Sequence, residues 1–98
     1  MYGTGVMKEK TIENKIKKYL KSIGAYFVKQ HGNAFVKSGI PDVLACYHGT
    51  FIGIEVKNEK NTTTLLQDHH LLEIQKAGGV AFVARSVEDV KEKINEII

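Results

Sequence analysis

The fold of this chain is decided by residues 39–57, whose sequence is GIPDVLACYHGTFIGIEVK. Two apolar, strand-like runs, Asp42 to Tyr47 and Phe51 to Lys57, flank His48, Gly49 and Thr50. This spacing is typical of a β-hairpin, and glycine in the turn permits the positive φ angle that tight hairpins require. We therefore expect an antiparallel pair of strands over residues 42–57.

The predicted hairpin places three charged side chains together. Alternation along a strand sends Glu55 and Lys57 to the same face of the sheet. If Tyr47 pairs with Thr50, then Asp42 lies opposite Glu55, with the two Cβ atoms roughly 4.5 to 5.5 Å apart. Like charges facing each other destabilise a sheet, so the pair invites a cation, and Mg²⁺ prefers such oxygen ligands.

These three charged residues also have an interpretation without a metal site. Asp42 would then only end a strand after Pro41, and Glu55 and Lys57 would belong to an ordinary polar sheet face. A slip of one residue in the register would also move Asp42 to the opposite face. The spacing alone leaves both interpretations open.

The rest of the chain predicts an α/β fold with a mixed sheet. Periodicity indicates helices over about 8–23, 65–77 and 87–98 and strands over 25–30 and 80–84, with a further short extended piece at 35–37. The element order is α-β-β-β-α-β-α. The apolar run at 80–84 predicts a strand in the centre of the sheet, and residues 58–64 predict a mobile surface loop. Residues 1–7 are interpreted as a flexible lead and 8–98 as one domain.

The first predicted helix combines an acid with many lysines. Glu13 falls beside Leu20 at the edge of the apolar stripe, so its carboxylate can look along the surface on which the helix packs. Residues 1–50 contain eight lysines and three acids, a net charge of +5, whereas residues 51–98 have a net charge of −2. Lysines such as Lys15 and Lys18 can neutralise DNA phosphates in a salt-dependent way, although a solvated lysine-rich helix face is the alternative.

Composition excludes several other classes of function. The single cysteine, Cys46, cannot form an internal disulfide, and adjacent helical residues such as His69 and His70 point about 100° apart, which disfavours a zinc site. No apolar stretch approaches the roughly 20 residues needed to cross a bilayer. We expect a protein that is not membrane-bound and is intracellular, in the cytoplasm of a bacterium or a phage-infected host.

A chain of 98 residues buries only about 60 to 65% of its surface on folding, which favours self-association.

The acidic hairpin resembles a known nuclease signature. Gly39-Ile40-Pro41-Asp42, followed after twelve residues by Glu55-Val56-Lys57, is similar to the PD-(D/E)XK motif of the restriction-endonuclease-like superfamily. The spacing and Gln67 on the next helix most resemble the VRR-NUC branch of virus-type nuclease domains, with archaeal Holliday-junction resolvases as near relatives. The resemblance covers about residues 10–90 and implies a restriction-endonuclease-like core.

The resemblance also implies what individual residues do. Asp42 and Glu55 would ligate Mg²⁺, for which Mn²⁺ would substitute, and the Val56 carbonyl would complete the set. Lys57 would assist the attacking water. Glu13 matches the acid of the first helix and Gln67 the helix glutamine, both at catalytic positions. Ser38 matches a serine near the substrate phosphate, and we expect DNA contacts from Ser38, Lys37, Lys15 and Lys18.

The resulting expectation is a Mg²⁺-dependent, structure-selective DNA endonuclease of Holliday-junction-resolvase type. A homodimer would present two symmetric active sites to a four-way junction. The alternatives are a nonspecific or nicking endonuclease, a non-catalytic DNA-binding module on the same fold, and a protein-interaction domain that docks through residues 87–98.

Overall fold

The computed structural model describes residues 6–31 and 38–97, which form three helices and four strands. The helices are α1 (Glu9–Ser22), α2 (Leu65–Lys76) and α3 (Val87–Ile97), and the strands are β1 (Tyr26–Lys29), β2 (Val43–Tyr47), β3 (Thr50–Val56) and β4 (Val80–Ala84). Their order, α1-β1-β2-β3-α2-β4-α3, confirms the predicted α/β class and element order. The extended piece predicted at 35–37 and residues 1–5 of the predicted lead lie outside the described residues.

The sheet is mixed, as the sequence predicted. Its strand order is β1-β2-β3-β4, with antiparallel β1/β2 and β2/β3 pairs and a parallel β3/β4 pair. The β2–β3 turn has φ of 50° at His48 and 78° at Gly49, as tight hairpin turns require. Tyr47 consequently pairs with Thr50, which confirms the predicted register.

Helices cover both faces of the sheet. Helices α1 and α3 pack on one face, and the core there consists of side chains that are almost entirely buried: Ile12, Ile16, Leu20, Val43, Ala45, Ile52, Ile54, Val56, Phe82, Ala84, Val90 and Ile94. Burial of a side chain the size of leucine or isoleucine contributes about 1.5 to 3 kcal/mol. Helix α2 packs on the opposite face, where a Cβ atom at Gly53 would lie 2.7 Å from Cδ1 of Ile74. Glycine at position 53 therefore lets α2 approach the sheet closely.

Strand β4 corrects one expectation from the sequence. It lies at an edge of the described sheet, and its neighbour β3 carries the longer buried run. The apolar run in β4 instead reflects helices on both of its faces, since α2 and α3 each contact it. Within the described ranges, no helix has both the length and the apolar character needed to cross a membrane.

Candidate active site at the ends of the central strands

Two carboxylates meet where β2 begins and β3 ends. Val43 pairs with Ile54, so Asp42, one residue earlier, lies opposite Glu55. The Oδ2 atom of Asp42 accepts a hydrogen bond of 2.8 Å from the backbone N–H of Val56, which holds this side chain against β3. Glu55 is only 2% exposed. The structure thus brings the two predicted acids together.

The two oxygens of Glu55 have different surroundings. Oε2 accepts a hydrogen bond of 3.2 Å from Nε2 of Gln67 and lies 3.8 Å from Nζ of Lys57. Oε1 is buried and has no hydrogen-bond partner among the described residues. Burial, with a smaller contribution from Asp42, raises the pKa of Glu55 to about 8 against the opposing charge of Lys57. A buried, unpaired carboxylate oxygen is unfavourable unless a proton or a cation joins it.

The start of α2 directs Gln67 towards Glu55. The backbone N–H of Gln67 donates to Oγ1 of Thr64 at 3.1 Å, and Oε1 of Gln67 accepts from the backbone N–H of Thr64 at 2.9 Å. These two hydrogen bonds form a capping box, which stabilises the helix start. Because the box occupies the amide oxygen of Gln67, its NH₂ group is left to face Glu55.

A lysine that the sequence analysis missed links α1 to Asp42. Nζ of Lys29 lies 2.7 Å from Oε1 of Glu13 and 3.7 Å from Oδ1 of Asp42. Glu13 is buried, and burial alone would raise its pKa, but the hydrogen bonds and charges of Lys29 and Lys17 outweigh this effect and lower the pKa of Glu13. Burial similarly acts to lower the pKa of Lys29, yet the two carboxylates raise it. The two acids and Lys29 form a charged chain across the strand ends.

Strand alternation could have revealed Lys29. Phe27 and Lys29 share a face of β1, and Phe27 packs against the core. Lys29 pairs with Val43, the residue after Asp42. The signal for Lys29 is therefore a lysine at the end of a short strand, on the face that points to the core.

The lysines of α1 divide into two groups around Glu13. Lys10 and Lys17 lie near it, with Nζ atoms 3.9 and 3.3 Å from Oε2. Lys15 and Lys18, the predicted DNA contacts, are exposed but sit about 200° and 140° around the helix from Glu13. The structure therefore separates Lys15 and Lys18 from the acid cluster.

The predicted phosphate contacts before Asp42 are only partly described. Ser38 is exposed and precedes Gly39, which has a φ of +83°. A Cβ atom at Gly39 would lie 2.9 Å from the backbone of Leu66, so this approach to α2 also requires glycine. Lys37 lies outside the described residues.

The donor set at the acid pair fits a hard divalent cation. Within residues 6–31 and 38–97, no group of three His, Cys, Asp or Glu side chains is arranged to hold a metal. A closed zinc site needs such a group, whereas Mg²⁺ uses one or two carboxylates and keeps several waters. Asp42 and Glu55 meet that smaller requirement, and the unpartnered Oε1 of Glu55 is an available ligand atom. The Val56 carbonyl remains a predicted third ligand.

Comparison with known proteins identifies the family. The sequence model described as archaeal Holliday junction resolvase (hjc) matches residues 5–97. The chain belongs to this family. Membership in the resolvase family places the chain among nucleases and confirms the resemblance recognised in its sequence. No curated protein matches the chain significantly.

Solved structures support the same fold. A VRR_NUC domain is 25% identical to this resolvase-family chain, with a TM-score of 0.74 over 89% of this chain and 94% of that one. A VRR_NUC domain protein is 21% identical, with a TM-score of 0.70 over 93% and 88%. The Holliday junction resolvase Hjc of the hyperthermophile Archaeoglobus fulgidus is 23% identical, with a TM-score of 0.59 over 76% of this chain and 65% of Hjc.

Proposed function

We propose that this resolvase-family chain is a Mg²⁺-dependent, structure-selective endonuclease that hydrolyses phosphodiester bonds in branched DNA. Asp42 and Glu55 hold the ion, for which Mn²⁺ substitutes, and the Val56 carbonyl completes the protein ligands. The observation that carries this proposal is the buried Oε1 atom of Glu55, which has no partner in the described part of the chain and lies in a carboxyl group opposite a second acid. Folding a sheet around such a pair is unfavourable unless a proton or a cation joins it, and a divalent cation can be held by both acids at once.

Each side chain of the site has a distinct task in this proposal. When bound, the ion supplies Lewis acidity to the phosphate and lowers the pKa of a coordinated water. Gln67 holds Oε2 of Glu55, which leaves Oε1 for the ion. Lys57 offsets the negative charge that develops on the phosphate and orients the attacking water. The water oxygen forms the new bond to phosphorus and gives up a proton, the bond from phosphorus to the leaving sugar oxygen breaks, and that oxygen takes up a proton from solvent. No covalent enzyme intermediate is needed.

Glu13 and Lys29 complete the site from the α1 side. Lys29 is hydrogen-bonded to Glu13 and places its charge 3.7 Å from Oδ1 of Asp42, while the backbone N–H of Val56 holds Oδ2. Ser38, Lys15 and Lys18, with Lys37, are the proposed contacts to DNA phosphates. Because such contacts release counterions, binding should weaken steeply with salt.

The proposed assembly is a homodimer. The sheet face beside α2 carries a groove of about 380 Å³ that is lined mainly by apolar residues, among them Pro41, Leu44, Phe51 and Ile74. Exposed apolar side chains extend this surface, with Tyr26 72%, Phe51 47% and Leu66 45% exposed. Pro41 directly precedes Asp42, so a second copy seated on this groove would bring two active sites close to one junction.

The decisive experiment compares cleavage of a labelled four-way junction and a matched linear duplex, in Mg²⁺ or in EDTA. Asp42→Asn and Lys57→Ala each remove one proposed group, and Glu92→Gln is the control that removes an exposed acid of α3. We expect junction cleavage only with Mg²⁺, a loss of about 10²- to 10³-fold or more in the two site variants, and parental activity in Glu92→Gln.

Each part of the proposal has a result that would contradict it. Cleavage that survives EDTA, or site variants as active as Glu92→Gln, would remove the metal site. Equal cleavage of junction and duplex would instead indicate a nonspecific endonuclease. Light scattering tests the dimer separately: the parent should be dimeric and Phe51→Lys monomeric, and a monomeric parent would contradict the assembly.

A further inference from the structure

The loop between β3 and α2, residues 58–64, is mostly exposed but is held in place. The sequence predicted a mobile segment because these residues are polar and lack periodicity. In the structure, Oδ1 of Asn58 accepts hydrogen bonds from the backbone N–H groups of Lys60 and Asn61 at 3.0 and 2.9 Å. Residues distant in sequence provide the remaining restraints.

Glu9 and Arg85 grip this loop from two sides. Oε2 of Glu9, in the first turn of α1, accepts hydrogen bonds from the Asn58 backbone at 3.3 Å and from Nδ2 of Asn61 at 2.6 Å. Nη1 of Arg85 donates to the carbonyl oxygens of Asn58 and Asn61, the latter at 2.7 Å. The backbone N–H of Arg85 donates to Oδ2 of Asp89 at 2.8 Å, which fixes Arg85 itself at the start of α3.

Both ends of this loop reach the same atom of the acid pair. Lys57, immediately before the loop, and Gln67, three residues after it, both approach Oε2 of Glu55. The backbone N–H of Lys57 also donates to the carbonyl of Ala84, the residue before Arg85, at 3.1 Å. Two neighbours of Glu55 therefore flank the loop directly.

We propose that Arg85 and Glu9 are positioning residues that clamp the 58–64 loop so that Lys57 and Gln67 hold Oε2 of Glu55 and leave Oε1 to the metal ion. This inference rests on the proposed nuclease function. Groups that orient a metal ligand typically change metal affinity or activity by 10- to 100-fold when they are removed. Because Arg85 is exposed, its replacement should loosen the loop without unfolding the core.

The test uses the full chain with Arg85→Ala and Glu9→Ala. Arg85→Lys is the conservative variant, and Lys76→Ala is the matched control, because it removes an exposed ion pair of α2, with Lys76 Nζ 3.6 Å from Glu73 Oε2. Amide hydrogen exchange across residues 58–64 is measured on metal-free protein, and Mn²⁺ affinity is measured by calorimetry without DNA. Single-turnover cleavage is measured with saturating junction DNA and Mg²⁺.

We expect Arg85→Ala to exchange its loop amides about 10-fold faster or more, to bind Mn²⁺ more weakly and to cleave about 10-fold more slowly, with unchanged affinity for DNA. Glu9→Ala should act in the same direction. Arg85→Lys should regain part of the loss, because its amine reaches a carbonyl but lacks the guanidinium fork. Lys76→Ala should match the parent throughout.

The outcomes separate this inference from the proposed function. Unchanged loop exchange in Arg85→Ala, or a loosened loop with parental metal affinity and cleavage, would overturn the clamp and leave the nuclease proposal standing. A parent that neither binds Mn²⁺ nor cleaves DNA would overturn the nuclease proposal and, with it, the clamp's effect on the metal site. A parallel decrease in Lys76→Ala would also contradict the clamp.

Discussion

Glu13 and Glu55 are both buried acids, 6% and 2% exposed, yet the fold treats them in opposite ways. Glu13 lies among Lys10, Lys17 and Lys29, and Lys29 and Lys17 lower its pKa against the effect of burial. Glu55 lies beside another acid, and its pKa rises to about 8. The charge of Glu13 is balanced by lysines of the chain, whereas the charge of Glu55 is only partly opposed by Lys57.

This contrast indicates which acid awaits a ligand. A buried charge with its own cations is a structural element that fixes the ends of α1 and β1. A buried carboxylate with too little positive charge is tolerated only where an additional proton or cation is expected. The difference therefore supports the proposed roles, with Glu55 as a metal ligand and Glu13 as a supporting acid, without reference to any relative.

The largest expected effect comes from neutralising each acid in turn. Glu55→Gln should abolish Mn²⁺ binding in calorimetry and lower cleavage by about 10³-fold or more, because a metal ligand is lost. Glu13→Gln should keep the metal and lose about 10- to 100-fold in cleavage rate, because only the partner of Lys29 changes. Equal loss of metal affinity in both variants would erase the distinction between the two acids.

The second effect is on stability against pH in metal-free protein. The folded pKa of Glu55 is raised from 4.5 to about 8, so its contribution to stability is complete below pH 4.5 and is lost as the pH rises through about 8. The pKa of Glu13 is lowered, so its contribution is present above pH 4.5 and is lost as the pH falls through its folded pKa. The free energy of unfolding should therefore decrease on both sides of an optimum.

Urea unfolding in EDTA across pH 3 to 9 would measure the two sides separately. Glu55→Gln should flatten the alkaline decrease by about 1 kcal/mol or more and leave the acid side unchanged. Lys29→Met should reduce the acid-side decrease, because without its nearest cation the folded pKa of Glu13 returns towards 4.5 and the difference from the unfolded chain shrinks. If Glu55→Gln retains the full alkaline decrease, another group is responsible for it. Mg²⁺ added to the parent at pH 8 should restore stability.

The smallest expected effect concerns how Gln67 is held near Glu55. Thr64→Ala removes one half of the capping box and should destabilise the protein by about 1 kcal/mol. Gln67 Oε1 is then less firmly held. Cleavage should therefore be slower than in the parent even at temperatures where the variant is fully folded. Thr62→Ala is the matched control, since Thr62 lies in the same loop without capping α2. If Thr64→Ala is less stable but fully active, the cap stabilises α2 and does not affect cleavage.

Local sequence pattern predicted the hairpin and its register well. The turn at His48 and Gly49 lies between two strong strand patterns, so the pairing of Tyr47 with Thr50 follows from short-range chemistry. The opposition of Asp42 and Glu55 then follows by counting. Gln67 was identified only through family resemblance, because nothing in its local pattern shows that a helix start faces β3.

Contacts between residues far apart in the sequence could not be predicted from local pattern. The link from Lys29 to Glu13 joins residues 16 apart, and the link from Glu9 to Asn58 joins residues 49 apart. Such pairs depend on how α1 lies across the sheet, which periodicity does not determine. The edge position of β4 was missed for a similar reason, since an apolar run reports covered faces and not the number of neighbouring strands.

The two-residue turn at His48 and Gly49 sets the register that places Asp42 opposite Glu55. Asp42 lies about 17 Å from this turn, the length of five strand residues. A slip of one residue in this register would move Asp42 to the opposite side of the sheet while every residue of the site stayed unchanged. A change of register at this distant tip would therefore be as damaging as a substitution at the acids themselves, and Gly49, with a φ of 78°, is a tip position where a β-branched side chain would be strained.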